Sequence, residues 1–390
     1  VAGTRRGIQG RGSVQVDLNA DQLATGKSAI AVSTSQDSLM ADLPREHFSF
    51  HGNGTEYFRI WIVNLLLTVV TVGIYSPWAK VRKNRYIYGN LQLAGSYFDY
   101  LAKPLTILRG RLIALALLLV VAVSQWFFPL LSLASFLLIG LVTPWLIVRA
   151  RMFNMRYTAY RNIRFGFNPA YGESYKAIYW YGFLALISFG LAAPYAHYQR
   201  SKFVVGNTRY GNLKFSLGEV GGKFFFAYVV GFGIAAIMIA PAVAMITQLG
   251  GYVAGAEDSP ANAVQATALL PVLLGVFFYY VVAKYIAAII LRITTNHTSI
   301  DDVSGEQRHR LGCDWAMPGM LWIYATNLIA IGLSVGLLTP WAQMRILKYQ
   351  LDHTWLEVSG GIDAVVAVQS QSVSSLGEEM GDVFDVDIGL

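Results

Sequence analysis

Charge is scarce in this chain. Only 14% of its 390 residues are Asp, Glu, Lys or Arg, against roughly 25% in a soluble domain, and the mean hydropathy is +0.45. Such a chain is too apolar to be disordered. It also lacks the polar surface that two or three soluble domains would need. Cysteine is almost missing: the one thiol, Cys313, excludes a disulfide framework and any cysteine-rich metal site, and is expected to pack as a small apolar group. Also missing are GxxxxGK before Ser or Thr, GxGxxG after a strand, HExxH and CxxC, so the common nucleotide and metalloenzyme signatures are excluded. No Asp or Glu interrupts the apolar segments, which counts against a transporter built on an acidic proton relay.

What the chain has instead is long apolar runs, at about 58–76, 112–130, 131–148, 177–196, 224–248, 267–291 and 319–342. Each reaches or nearly reaches the roughly 20 residues that cross a bilayer. The second and third are almost contiguous around Pro129 and read as a tight hairpin. Residues 1–45 are polar and read as a disordered extension, with Met40 expected as the native start. Residues 46–357 form the membrane domain, and 358–390 form an acidic tail without Lys or Arg.

A motif recurs along the membrane domain. Pro77-Trp78, Pro144-Trp145, Pro194-Tyr195 and Pro340-Trp341 each follow a glycine four residues earlier: Gly73, Gly140, Gly190 and Gly336. Five residues after the proline stand Arg82, Arg149, Gln199 and Arg345; nine after it stand Tyr86, Phe153, Phe203 and Tyr349. Phe98, Phe165 and Phe215 lie twenty-one after it, but Gly361 breaks the series in the last copy. Gly95, Asn162 and Asn212 lie at +18. Glycine and asparagine accept the positive φ of a two-residue turn, so NLQL-AG-SYF, YTAY-RN-IRF and NTRY-GN-LKF read as β-hairpins. HTSIDDVSG (297–305) and HTWLEVSGG (353–361) look like degenerate versions. The unit is an apolar helix loosened at Gly and Pro, an aromatic residue at membrane-belt height, a short basic helix and a hairpin in water.

Charge orients the units. The loop 249–266 has no Lys or Arg and carries Glu257 and Asp258, so it should face outside, whereas basic residues flank the other segment ends. Segments 58–76, 177–196 and 319–342 have both ends on the basic, cytoplasmic side. The expected class is therefore an all-α polytopic membrane protein with short cytosolic β-hairpins. It has four spans plus three re-entrant segments, or seven spans, with both termini cytoplasmic.

FHGNGTEYFRIWIVNLLLTVVTVGIYSPWAKVRKNRYIYGN (50–90), together with the recurring Pro-Trp-Ala and YGNLKFSL (210–217), resembles the YjgN family of bacterial inner-membrane proteins. The resemblance covers about 47–360 and implies a multi-pass inner-membrane protein. It carries no activity and no catalytic residue.

The candidate sites come from the residues. Arg82, Arg85, Arg149, Arg345 and Lys348 lie just past the membrane boundary, where cations meet anionic headgroups. The Gly-Pro-aromatic sets are kinks or interface anchors. Asn64 and Asn327, each thirteen residues before its proline, are intramembrane polar groups that can glue helices or line a pathway. His297 and His353 hold matching places and could meet at a metal, although solvated histidines are the plainer reading. No cofactor, metal or catalytic set is expected. The partners are the bilayer and its anionic lipids rather than nucleic acid, and no protein partner is indicated. A membrane scaffold or a lipid- or protein-binding module is the leading function, and a transporter or channel for a small solute is the alternative.

Overall fold

The computed structural model describes residues 44–127, 130–254, 261–301 and 308–359. The expectations for Met40, Pro129, Glu257 and Asp258, and for the tail beyond Ser359, fall outside that set.

Ten short strands form one closed antiparallel barrel. Five lead out of it: β1 (Arg45–Phe50), β3 (Ser96–Tyr100), β5 (Ile163–Phe167), β7 (Leu213–Leu217) and β9 (Arg308–Cys313). Five lead back: β2 (Leu91–Leu93), β4 (Thr158–Tyr160), β6 (Thr208–Tyr210), β8 (Thr298–Asp301) and β10 (Thr354–Glu357). Each strand pairs with its neighbours in chain order, and β10 pairs with β1 to close the ring. Arg45 lies opposite Glu357 there, and its Nε donates to Oε1 at 3.1 Å.

Helices fill the excursions. Between β1 and β2 run α1 (Gly54–Val70) and α2 (Ser76–Gly89). Between β3 and β4 run α3 (Pro104–Phe127) and α4 (Leu130–Arg156). The third excursion holds α5 (Tyr171–Tyr175), a π-helical turn (Lys176–Trp180), α6 (Tyr181–Ile187) and α7 (Ala193–Gly206). The fourth holds α8 (Gly221–Ala254) and α9 (Ala261–Asn296), and the fifth α10 (Met317–Leu333) and α11 (Thr339–Asp352). Because an outgoing strand and its returning strand are hydrogen-bonded neighbours, each excursion leaves and re-enters at the same rim. Neighbouring excursions pack together, and α11 packs on α1, so the helices also form a ring.

The expected all-α class is therefore wrong. The short apolar pieces taken for isolated hairpins pair edge to edge, since an open row of strand N–H and C=O groups is satisfied only by another strand. Neither expected span count is reached among the described residues. Among the described residues three helical stretches are long and apolar enough to cross a membrane: Pro104–Val123, Leu133–Arg156 and Leu273–Asn296. Gly221–Ile237 and Met317–Leu333 are apolar but shorter.

The two-residue turns sit where the motif put them. Ala94 and Gly95 have φ of 44° and 75°, Arg161 and Asn162 have 48° and 66°, and Gly211 has 56°. Two successive positive φ values match the twist of the flanking strands. Within the strands, side chains alternate. Phe98, Phe165 and Phe215 line the interior, while their neighbours Tyr97, Arg164 and Lys214 are exposed. Alternation of this kind marks a sheet with one apolar and one wet face.

Helix passes to strand through one recurring joint. The last carbonyls of a helix have no internal donor. Asn90 and Asn207 supply one through Nδ2, to Tyr86 and Phe203 at 2.8 and 2.9 Å. The Nδ1 atoms of His297 and His353 lie 2.8 and 2.9 Å from the Ile293 and Tyr349 carbonyls. The next residue repeats the bond: Thr158, Thr208, Thr298 and Thr354 hydroxyls each donate to the carbonyl four residues back, at 2.6–2.9 Å. His297 and His353 thus cap their own helices, and among the described residues no group of three or more His, Cys, Asp or Glu side chains could hold a metal.

Candidate functional site

Two regions gather the functional groups: the barrel interior and the helical rim above it.

Inside the barrel, outgoing strands contribute Phe48, Phe98, Phe165, Phe215 and Leu311. Returning strands contribute Leu93, Tyr160, Tyr210, Ile300 and Leu356. These ten surround a cavity of ≈ 250 Å³, with His309 and Val358 also in its wall and no polar atom exposed to it. The tyrosine hydroxyls are turned aside. Tyr160 donates to the Leu93 carbonyl at 2.8 Å, and Tyr210 donates to the Tyr160 carbonyl at 3.0 Å. Burial, with Tyr160 adjacent, pushes the Tyr210 hydroxyl far above its ordinary range, so it stays a donor.

Where the outgoing strands leave, the side chains switch from the barrel to the helices. Phe50 packs with Tyr57 and Met344, Tyr100 with Val81 and Phe153, and Phe167 with Val148 and Phe203. Leu217 packs with Tyr198 and Phe224, and Cys313 with Met320 and Tyr324. Five solid apolar clusters thus seat the helices on the rim. The Cys313 thiol, pushed up to about 11 by burial, is a packed apolar group.

The Gly-Pro motif resolves into two structures. Gly73, Gly190 and Gly336 have φ of 88–89°, each preceded by a residue near 50°: Val72, Phe189 and Val335. The glycine amides bond back to Thr68, Ala185 and Ile331 at 2.7–2.8 Å, which is a Schellman stop. A hydroxyl then starts the next helix. Thr71, Ser188 and Ser334 accept from the amides of Tyr75, Ala192 and Leu338 at 2.9–3.0 Å. The tips are bare: Val72, Phe189 and Val335 are 91%, 98% and 92% exposed. At Gly140 the equivalent position is Leu138, which offers no acceptor, and α4 runs straight through Pro144. A proline there leaves the carbonyl four residues earlier without a donor. Tyr179 donates to that Gly140 carbonyl, Tyr175 to Leu141 at 2.6 Å and Ser174 to Pro144 at 3.1 Å. Sequence reasoning missed this cover and the hydroxyls two residues before the glycines. The hydroxyls were visible as Thr-x-Gly and Ser-x-Gly against Leu-x-Gly.

The four prolines are buried, and their aromatic neighbours have separate roles. Trp78 stacks on Tyr75 at 6.0 Å, Trp145 lies under the Arg149 guanidinium at 5.4 Å, and Tyr195 meets Tyr181 edge-on at 5.5 Å. Trp341 packs on Phe58 at 4.6 Å and covers Gly54, where a Cβ would lie 2.4 Å from the indole. That glycine is what lets α11 seat on α1.

The cations occupy several places. Arg82, Arg85, Arg149, Arg345 and Lys348 are exposed and spread over α2, α4 and α11, not gathered in one pocket. Arg85 Nε reaches the Tyr100 carbonyl at 3.4 Å. Arg345 reaches inward, to Thr326 Oγ1 at 2.8 Å and Asn327 Oδ1 at 3.3 Å. Asn327, 6% exposed, also donates to the Ala342 carbonyl at 3.2 Å, tying α10 to α11. Asn64 is equally buried, but its Oδ1 has no hydrogen-bond partner.

Comparison with known proteins gives a family without an activity. A family described as "Bacterial protein of unknown function (DUF898)" matches residues 45–383. The match runs into the acidic tail, which the resemblance read from the sequence had left out. "Inner membrane protein YjgN" of Escherichia coli O157:H7 is 28% identical over 171 residues, and that of strain K12 is 29% identical. Each alignment covers 43% of this chain and 41% of the relative, so the chain spans about two fifths of the length of those relatives. The Salmonella typhimurium LT2 protein of the same name is 23% identical over 363 residues, 81% of this chain and 89% of the relative. No solved structure matches.

Proposed function

The chain belongs to the DUF898 family of bacterial proteins of unknown function, and from that premise we propose that it is a non-enzymatic inner-membrane scaffold. It holds anionic lipid headgroups around the rim of a barrel that faces the cytoplasm. One observation carries the reading. Arg82, Arg149 and Arg345 each stand nine residues before a returning strand, at Leu91, Thr158 and Thr354. At about 1.5 Å per helical residue, this places the three exposed arginines ~13 Å along their helices from the returning strands, at one common register. Beyond them lie the apolar helices and the bare tips at Val72 and Val335. Cations at one register, with apolar surface beyond them and a polar barrel exterior below, match the order of bilayer, headgroups and water. The recurring unit supplies that common register, since each copy meters the same distance from cation to strand.

Transport finds less support. Asn327 is engaged by Ala342 and Arg345 between two helices, the arrangement of a packing residue. The test is lipid capture. In nanodiscs of mixed phosphatidylcholine and phosphatidylglycerol, the protein should enrich phosphatidylglycerol around itself. Arg82→Gln, Arg149→Gln and Arg345→Gln together should abolish the enrichment, each contributing about 1 kcal/mol. Equal lipid selection by wild type and triple variant refutes the reading.

A further inference from the structure

We propose that the barrel interior is a binding site for an unbranched hydrocarbon chain, of which about eight to ten carbons lie inside. The volume supports that size. An engineered apolar cavity of about 150 Å³ stays dry and takes up benzene, and this one is ≈ 250 Å³.

The wall dictates the chemistry. No polar atom faces the cavity, so a polar ligand group placed there would lose its water and gain no partner. Water is disfavoured for the same reason, because a buried water needs two to four polar partners. Only hydrocarbon fits, and any headgroup must stay at the mouth.

The cavity is also held open. Tyr160 and Tyr210 are the two largest wall residues that could swing inward and fill it, but each is tethered by its hydroxyl to a carbonyl two strands away, on β2 and β4 respectively. The Phe98 ring packs on Tyr160 at 4.7 Å, and Phe165 packs on Tyr210 at 4.9 Å, so the tethers fix four rings of the wall. One layer away, Phe50, Tyr100 and Phe167 of the same strands pack into apolar clusters with the helices. A membrane supplies its hydrocarbon mostly as unbranched chains, either as free fatty acid or as the tail of a phospholipid.

The test uses the full chain, delipidated in detergent. Decanoic acid should bind saturably, one per chain. Ile300→Trp, which fills the cavity, should weaken that binding at least tenfold while leaving the unfolding temperature unchanged or higher. Ser299→Trp, one residue away and facing outward, should bind as wild type does. If Ile300→Trp does not fold, Leu356→Ala decides: the enlarged cavity should shift preference from decanoic to tetradecanoic acid. Native mass spectrometry before delipidation separates the two sources, since a retained mass of a fatty acid or of a phospholipid each supports the site and names its supplier. Decanoic acid binding that is unsaturable, that is equal in wild type and Ile300→Trp, or that keeps its chain-length preference in Leu356→Ala overturns the proposal. The site is independent of the headgroup cations, so Arg82→Gln, Arg149→Gln and Arg345→Gln together should leave decanoic acid binding unchanged.

Discussion

Pro144 sits inside α4 with its cost covered by a neighbour, and that cover can be removed and restored. Tyr179→Phe deletes the hydroxyl that donates to the Gly140 carbonyl. In wild type residue 144 has no N–H, and among the described residues no other donor to that carbonyl is seen. The exposed carbonyl should cost about 1–3 kcal/mol. Pro144→Ala changes the arithmetic. The new amide of residue 144 bonds to Gly140 within the helix, so the tyrosine hydroxyl becomes redundant. Tyr179→Phe should then cost nearly nothing in the Pro144→Ala background, a coupling of about 1–3 kcal/mol between the two changes. The assay is equilibrium unfolding of the four proteins by sodium dodecyl sulfate in mixed micelles. The hydroxyls of Tyr175 and Ser174 serve neighbouring carbonyls and are left in place, so they do not blur the cycle. A Tyr179→Phe cost that is the same with and without Pro144 refutes the reasoning.

Three further outcomes are expected. Ser188→Ala and Ser334→Ala should each cost about 1 kcal/mol of unfolding free energy, as loss of a helix cap does, whereas Leu138→Ser should leave α4 unbroken; near-zero losses at both serines would sink the assignment of those hydroxyls. Burial holds the His297 imidazole below its ordinary pKa of 6.5, so its neutral form is the folded form. The associated stability is full above about pH 6.5 and drains as pH falls from there through the folded value. His297→Asn, which copies the caps at Asn90 and Asn207, should flatten the acid side of the melting-temperature profile, and an unchanged acid slope counts against it. Gly312→Ala would put a Cβ 2.6 Å from the Trp355 indole, beside the strand pair that closes the barrel. It should cost about 1–3 kcal/mol and shift Trp355 fluorescence, while an unperturbed spectrum would show that the strand yields freely.

The sequence carried the parts of this fold better than their assembly. Gly95, Asn162 and Asn212 marked the turns because positive φ is a local demand that one residue can answer. Phe98, Phe165 and Phe215 stood in register, yet they could not announce that they face one another across a barrel. Strands of three to six residues are too short for their period to separate them from loops. The series broke at Gly361 for a topological reason. The strand beside β10 is β1, so the aromatic missing from the last copy is Phe48, some three hundred residues upstream. Among the candidate site residues, Arg345 and Asn327 were singled out for different reasons and prove to be bonded to each other. The Tyr179 cover on Pro144 had no signal at all, since it joins two excursions of unlike shape.

Closure through β1 and β10 also sets a schedule for synthesis. Arg45 and Glu357 are 312 residues apart. A ribosome adding about 5–20 residues per second needs roughly 15–60 s to make that stretch. For that interval β1 can pair with β2 on one side only, and its other edge is open to any passing strand. The barrel therefore grows as a ribbon with a live seam, while all five helical excursions are made ahead of the strand that seals it.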